Sequence, residues 1–291
     1  MKSSKYEIDM CNGTIMDKLI SFALPLMLSG ILQLMFNAVD IIVVGRFSGS
    51  EALAAVGSTT ALINVFTNLF IGISLGANVL AARFFAAGRK EEMSETVHTA
   101  ITLALISGIL MAFVGLFFSR GALELMGTPV DVIDLSALYM RIYFMGMPFF
   151  MLYNYGAAIL RAVGDTKRPL YFLIIAGVIN AGLNMILVIV FGLGVAGVGI
   201  ATVFSQMVSC VLVLTCLCRT DGSYKLSFSK LSIKGYYLKQ IFQVGIPAGI
   251  QSTVINFSNA LLQSSVNSFG STAMAGYTAA NNILGFLYVS I

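Results

Sequence analysis

Hydrophobic residues run through this chain in long blocks separated by short polar turns, a pattern that predicts helices rather than strands. The first block, residues 19–44, reads LISFALPLMLSGILQLMFNAVDIIVV. A helix of that length crosses a hydrocarbon layer of about 30 Å with some tilt. Gln33, Asn37 and Asp40 fall at i, i+4 and i+7, so the strongly polar groups of this span share one face. Further spans are expected over 52–86, 96–118, 132–160 and 170–191. A sixth follows the turn GLGVAG and reaches 218, a seventh covers 241–269, and an eighth runs from 272 to the last residue. Gly146, Met147 and Pro148 should bend the fourth.

The polar positions inside these blocks are few, and each has two readings. Asp40 either lies near a membrane surface and reaches water, or belongs to a face turned towards an internal cavity. The second reading is preferred, because an acid inside a bilayer is costly and usually marks an ion or substrate path. The fifth span carries Asn180 and Asn184 at i, i+4, and the sixth carries Thr202 and Gln206 at the same spacing. Such groups commonly hydrogen-bond helices together. Three spans presenting them within one group of six favour a site instead, in which carboxylate, amide and hydroxyl oxygens suit a hard monovalent cation or a proton relay.

Composition narrows the class. The chain is 58% hydrophobic and only 10% charged, with a mean hydropathy of +0.90, far from the roughly 25% charge of soluble domains. The net charge of +4 does not point to nucleic acid once the basic residues are located. Fourteen of the 17 fall on one side of the predicted spans: Lys2, Lys5, Lys18, Arg83, Arg89, Lys90, Arg161, Lys167, Arg168, and five between 219 and 239. The positive-inside rule then puts the N-terminus in the cytoplasm. The apolar run after the first 18 residues is too long for a signal peptide. The four cysteines have neither disulfide nor metal-site spacing. Cys216 and Cys218 end a span beside a basic segment, where S-acylation and plain apolar packing are the alternatives. His98, the one histidine, reads as a surface or interface group rather than a ligand. GLGVAGVG lacks the Lys-Ser/Thr of a phosphate loop and reads as a tight turn. No paired carboxylates, nucleophile triad or metal cluster appears in the sequence, which argues against an enzyme.

A repeat emerges at a shift of 222 residues. Pro25 meets Pro247, Asn37 meets Asn259, Ala38 meets Ala260, and Phe47 meets Phe269. After one deletion, Gly49, Ser50, Ala52 and Ala54 meet Gly270, Ser271, Ala273 and Ala275. Both copies start on the same side, so the repeat is parallel, one of the recurrent transporter plans. The expected organisation is a six-helix lobe (1–218), a basic cytoplasmic linker (219–240) and the incomplete opening of a second lobe (241–291). Leu262 stands where Asp40 would repeat, so the two copies differ chemically.

Several of these stretches resemble one family of transporters. They are the first span with Pro25, FNAVDIIVVGRFSGSEALAAVG (36–57), LRAVGDTKRP (160–169) and NAGLNMILVIVFGLGVAGVGIATVFSQ (180–206). The resemblance is to the multidrug and toxic compound extrusion (MATE) transporters, nearest their bacterial DinF-like or multidrug-efflux branches. It implies an all-α membrane protein of the twelve-helix plan, here the six-helix N-terminal lobe plus the first one to two helices of the second. It further implies export of cationic or amphipathic compounds in exchange for H⁺ or Na⁺, with no cofactor beyond the coupling ion and with the missing C-terminal lobe required. Asp40, Asn180, Asn184 and Thr202 would form the ion or proton site. Gln33, Asn37, Asn154 and Gln206 would border the substrate cavity. Asn184 stands where many members carry an acid, which leans the reading towards protons, and the seventh span lacks the acid some members use. A lipid-linked sugar flippase of the same superfamily and a non-transporting membrane fragment are the alternatives.

The orientation is tested by single cysteines in a cysteine-free background. Those at Ser94 and Ser223 should be shielded from an impermeant thiol reagent in intact cells, and one at Ser50 should react. Labelling at Ser223 in sealed cells would overturn it.

Overall fold

The computed structural model describes residues 14–289, which are helical almost throughout. The basic and acidic residues at 2–9 and Cys11 lie outside the described residues. The helices are α1 (Ile15–Phe47), α2 (Ser50–Ala86), α3 (Lys90–Leu125), α4 (Ile133–Met145), α5 (Met147–Ala162), α6 (Lys167–Asn184), α7 (Gly194–Arg219), α8 (Gly235–Asn267) and α9 (Ser271–Val289). A π-helical turn, Met185–Val190, extends α6. Helices α4 and α5 meet at a bend of 49°, at the Gly-Met-Pro run where the sequence predicts one. There Pro148 takes the first turn of α5, the place where its missing N–H costs nothing.

Five helices are long and apolar enough to cross a membrane, or six when the bent pair α4–α5 counts as one span. Helix α8 is 33 residues long but is not among them. Its glutamines, asparagines and serines dilute the apolar run. The charged stretch after α2, expected as a loop, is largely the first turn of α3. Its Glu91 and Glu92 sit where the positive end of the helix dipole favours acids. Likewise α8 starts at Gly235, inside the segment expected as linker.

The core forms where α2, α3, α4, α5 and α7 pack, around fully buried Tyr155, Phe144, Met147, Met151 and Leu160. Exposed Phe and Val side chains such as Phe117, Val178 and Val211 face outward, as a hydrocarbon solvent allows. The segment between α7 and α8 is held to α3 by His98. That ring is buried, with Nδ1 2.7 Å from the Ser94 carbonyl and Nε2 3.1 Å from the Ser227 N–H. A carbonyl only accepts and an N–H only donates, so the ring is neutral with its proton on Nδ1. His98 is thus an interface group.

The repeated residues adopt repeated backbone. Pro25 and Pro247 lie inside α1 and α8, and Gly49 and Gly270, just before α2 and α9, have φ of 90° and 89°. Helix α8 runs along α2, and small residues set their distance. A Cβ on Gly72 would lie 2.2 Å from the Gly249 Cα, and one on Gly76 2.2 Å from the Ile241 carbonyl oxygen. At the other end of α8, Ser264 Oγ and Asn267 Nδ2 both donate to the Met126 carbonyl at 3.1 Å, beyond the last turn of α3. This satisfies an acceptor the helix end leaves open.

Gly72→Ala should therefore destabilise the chain by about 1–3 kcal/mol, because backbone blocks the added methyl. Gly182, with nothing within 4 Å of a built Cβ, is the control. Gly182→Ala should be neutral or stabilising, by up to about 1 kcal/mol. Thermal unfolding in detergent checks both, and equal melting of the two variants would contradict the close crossing.

Candidate functional site

Asp40 lies on α1, about two turns from its C-terminal end, and is only 6% exposed. A buried carboxylate away from water needs hydrogen-bond donors. Helices α6 and α7 supply them. Asn184 Nδ2 donates to one Asp40 oxygen and, at 3.1 Å, to Asn180 Oδ1. Thr202 Oγ1 lies 3.4 Å from the other Asp40 oxygen and 3.0 Å from the Val198 carbonyl, so one hydroxyl hydrogen faces two acceptors. Asn180 Nδ2 approaches Thr202 Oγ1 at 3.5 Å. Asp40, Asn180, Asn184 and Thr202 thus form one connected cluster from three helices.

The i, i+4 spacing of Asn180 and Asn184 puts both amides on the α6 face towards α1 and α7. The π-helical turn begins at the next residue, with Phe191 N–H reaching the Ile186 carbonyl at 3.1 Å. Such insertions recur at functional sites. Within the cluster, Asn184 Oδ1 is buried with no partner among the described residues, as is Gln206 Oε1 nearby. Asn184 Oδ1 is an unmet acceptor on a residue that also bonds the carboxylate, and leaving it unmet costs about 1–3 kcal/mol that a bound proton or cation would relieve. No group of three or more His, Cys, Asp or Glu that could hold a metal ion occurs among the described residues. The oxygens of Asp40 and its neutral neighbours suit H⁺ or a monovalent ion instead.

Two cavities flank Asp40. One, of about 460 Å³, lies within α1–α7 and is lined by Gln33, Asn37, Asn154 and Gln206 together with Asn180 and Thr202. The four residues expected from sequence at a substrate cavity therefore line one cavity with Asp40, Asn180 and Thr202. The other, of about 320 Å³, lies between α1 and α2 on one side and α8 and α9 on the other. Asn37, Asp40, Asn64 and Tyr139 line both. Asp40 is the one charged residue on either wall.

Sequence reasoning missed several wall residues. Tyr139 and Tyr143, on α4, carry no periodic polar signal. Asn64 and Asn68 were visible as a shared face of α2 but were not joined to the site. On α8 and α9, Asn256, Asn259 and Gln263 (i, i+3, i+7) and Thr278, Asn281 and Asn282 (i, i+3, i+4) form stripes as plain as that of α1. The face test applied to the first span would have found them.

The model of the family MatE matches residues 25–186. The probable multidrug resistance protein YoeA of Bacillus subtilis (strain 168) is 34% identical over 275 residues, covering 91% of this chain and 59% of that protein. The chain thus spans about three fifths of the length of the curated relatives it matches. A structure described as the inward-facing conformation of a multidrug resistance MATE family transporter of the MOP superfamily superposes with a TM-score of 0.79. It is 25% identical, over 89% of this chain and 60% of that one. An outward-facing MATE structure gives 0.84 at 24% identity over 99% and 66%, and shares the fold.

Proposed function

The chain belongs to the MatE family, and on that premise we propose that it forms the ion-binding lobe, and the start of the second lobe, of a cation-coupled exporter of cationic or amphipathic compounds. Members of the family are transporters rather than enzymes. The single observation that carries the reading is Asp40. It is a buried carboxylate held by Asn184 and Thr202 and shared by two cavities.

In this reading the coupling ion and a cationic substrate compete for one negative charge. Cation binding at Asp40 removes the charge that holds the substrate, and substrate departure frees the carboxylate for the next ion. Since Asn184 turns its NH₂ towards Asp40, a donor occupies a position where Na⁺ would need an oxygen. That favours H⁺, with Na⁺ as the alternative coupling ion. We take 1–218 as one lobe, 219–240 as the cytoplasmic linker and 241–291 as the opening of the second. Further second-lobe helices, in the same chain or supplied alongside, would complete the wall begun by α8 and α9. The lobes would then alternate access to the two sides of a bacterial cytoplasmic membrane, with the N-terminus inside. Inward- and outward-facing structures of relatives with this fold support such motion. A flippase of acidic lipid-linked sugars is disfavoured, because neither cavity wall carries a basic side chain.

The test uses a protein with both lobes, in proteoliposomes with a pH or a Na⁺ gradient imposed alone. Asp40→Asn keeps the shape but loses charge and titratable proton. It should insert and melt like wild type, yet lose gradient-driven efflux by at least about tenfold, a loss equivalent to about 1.4 kcal/mol. Asp40→Glu should keep part of the activity, and the pH gradient should suffice. Wild-type efflux by Asp40→Asn would remove the residue from the mechanism.

A further inference from the structure

Near the end of α2 and the start of α8, the two helices flank a cavity of about 380 Å³, apart from the two around Asp40. Its wall carries two cations, Arg83 on α2 and Lys239 on α8, and no acid. Neither forms an ion pair among the described residues, whereas Arg89, Arg120, Arg168 and Lys225 each meet a carboxylate. Glu91, Glu92 and Glu95 line a different groove, which shares only Tyr236 with this one. Gln240 and Gln243 complete the polar part of the wall, and neither amide makes a hydrogen bond among the described residues. The wall becomes apolar with depth. On α2, Leu75 and Val79 are about half exposed and share a face with Arg83 at i, i+4 and i+8. On α8, Val244 is exposed one turn inward of Gln240. At 1.5 Å per residue, Leu75 lies about 12 Å from the level of Arg83, towards the hydrocarbon. Tyr236, exposed at the charged end, is the kind of amphipathic ring that settles at headgroup level.

Positive charge at the helix ends followed by an apolar groove matches the profile of a phospholipid. A phosphodiester offers Arg83 two oxygens for its N–H groups and Lys239 a point charge, while the glutamine amides can donate to phosphate or ester oxygens. The acyl chains then run along Val79, Val244 and Leu75, where a water-soluble phosphate has no counterpart. A choline or ethanolamine headgroup brings its own cation against Arg83 and Lys239 and forfeits the attraction. We infer that this cavity binds an anionic phospholipid, with the headgroup phosphate between Arg83 and Lys239 and the acyl chains along α2 and α8. The inference concerns the bilayer rather than the exported compound, and it does not rest on the exporter reading.

The full 291-residue chain, purified in a mild detergent, is incubated with equal amounts of dioleoylphosphatidylglycerol and dioleoylphosphatidylcholine, and retained lipid is counted by native mass spectrometry. Phosphatidylglycerol should be preferred by about tenfold or more, as for two basic side chains on one anionic headgroup. Arg83→Gln/Lys239→Gln should bring the two lipids to within about threefold of one another. Lys90→Gln/Lys230→Gln removes the same charge on the same side from positions outside the cavity, and should keep the wild-type preference. Folding of each variant is checked by its melting temperature. Should the first double variant fail to fold, Lys239→Gln alone should at least halve the preference. Equal retention of the two lipids by wild type overturns the site, as does an unchanged preference in the folded variants at Arg83 and Lys239. Equal loss in both double variants also overturns it, since that is general attraction to basic helix ends. Glycerophosphate at the concentration of the lipid should not displace it, and displacement overturns the lipid assignment in favour of a soluble phosphate.

Discussion

A carboxylate enclosed by helices in a membrane must be matched by donors or neutralised, and the approach of α6 and α7 to α1 answers that requirement at Asp40. Its partners are neutral. Asn184 and Thr202 offer hydrogen bonds without offsetting the charge, and Asn180 orients Asn184 from one turn away. A lysine or arginine at the same place would have closed the site as a permanent ion pair. Neutral donors hold the carboxylate in position and leave its charge available to something mobile. The orphaned oxygens of Asn184 and Gln206 add to that openness. They mark polar capacity built into the interior and not consumed by the fold.

The second constraint is steric. Glycines let α8 approach α2 to backbone contact at Gly72–Gly249 and Gly76–Ile241, while the Met126 carbonyl holds the far end of α8. Between these contacts the polar stripes of α8 and α9 face α1 and α2 across a cavity rather than packing flat. Asp40 therefore lies on a shared wall, with one cavity inside the lobe and one outside it. A group bound in either cavity feels the same charge. In the proposed exporter that shared wall would let an ion and a substrate act on one another without touching.

Much of this was legible in the sequence, and for identifiable reasons. Long apolar runs give helices directly, and the Gly146-Met147-Pro148 bend is forced by local backbone chemistry. The polar cluster was legible because polar residues are rare in such spans, so Asp40, Asn180, Asn184 and Thr202 stand out and their spacing gives their faces. Tyr139 and Tyr143 were not, since a tyrosine in an apolar helix looks the same whether it faces lipid or a cavity. The walls on α8 and α9 were overlooked although their periodicity is plain. The start of α3 was hidden for another reason: a charged stretch reads as a loop by hydropathy, while Glu91 and Glu92 favour a helix N-terminus.

The central claim is that one carboxylate serves both ion and substrate. It is tested most directly by counting ions displaced when a permanently charged or protonated monocation binds the purified protein in weakly buffered solution. The account predicts release of close to one proton per ligand bound, or weakening of ligand binding by Na⁺ if Na⁺ is the coupling ion, and loss of either effect in Asp40→Asn. Ligand binding that releases no proton and is indifferent to Na⁺ in the wild-type protein would contradict it.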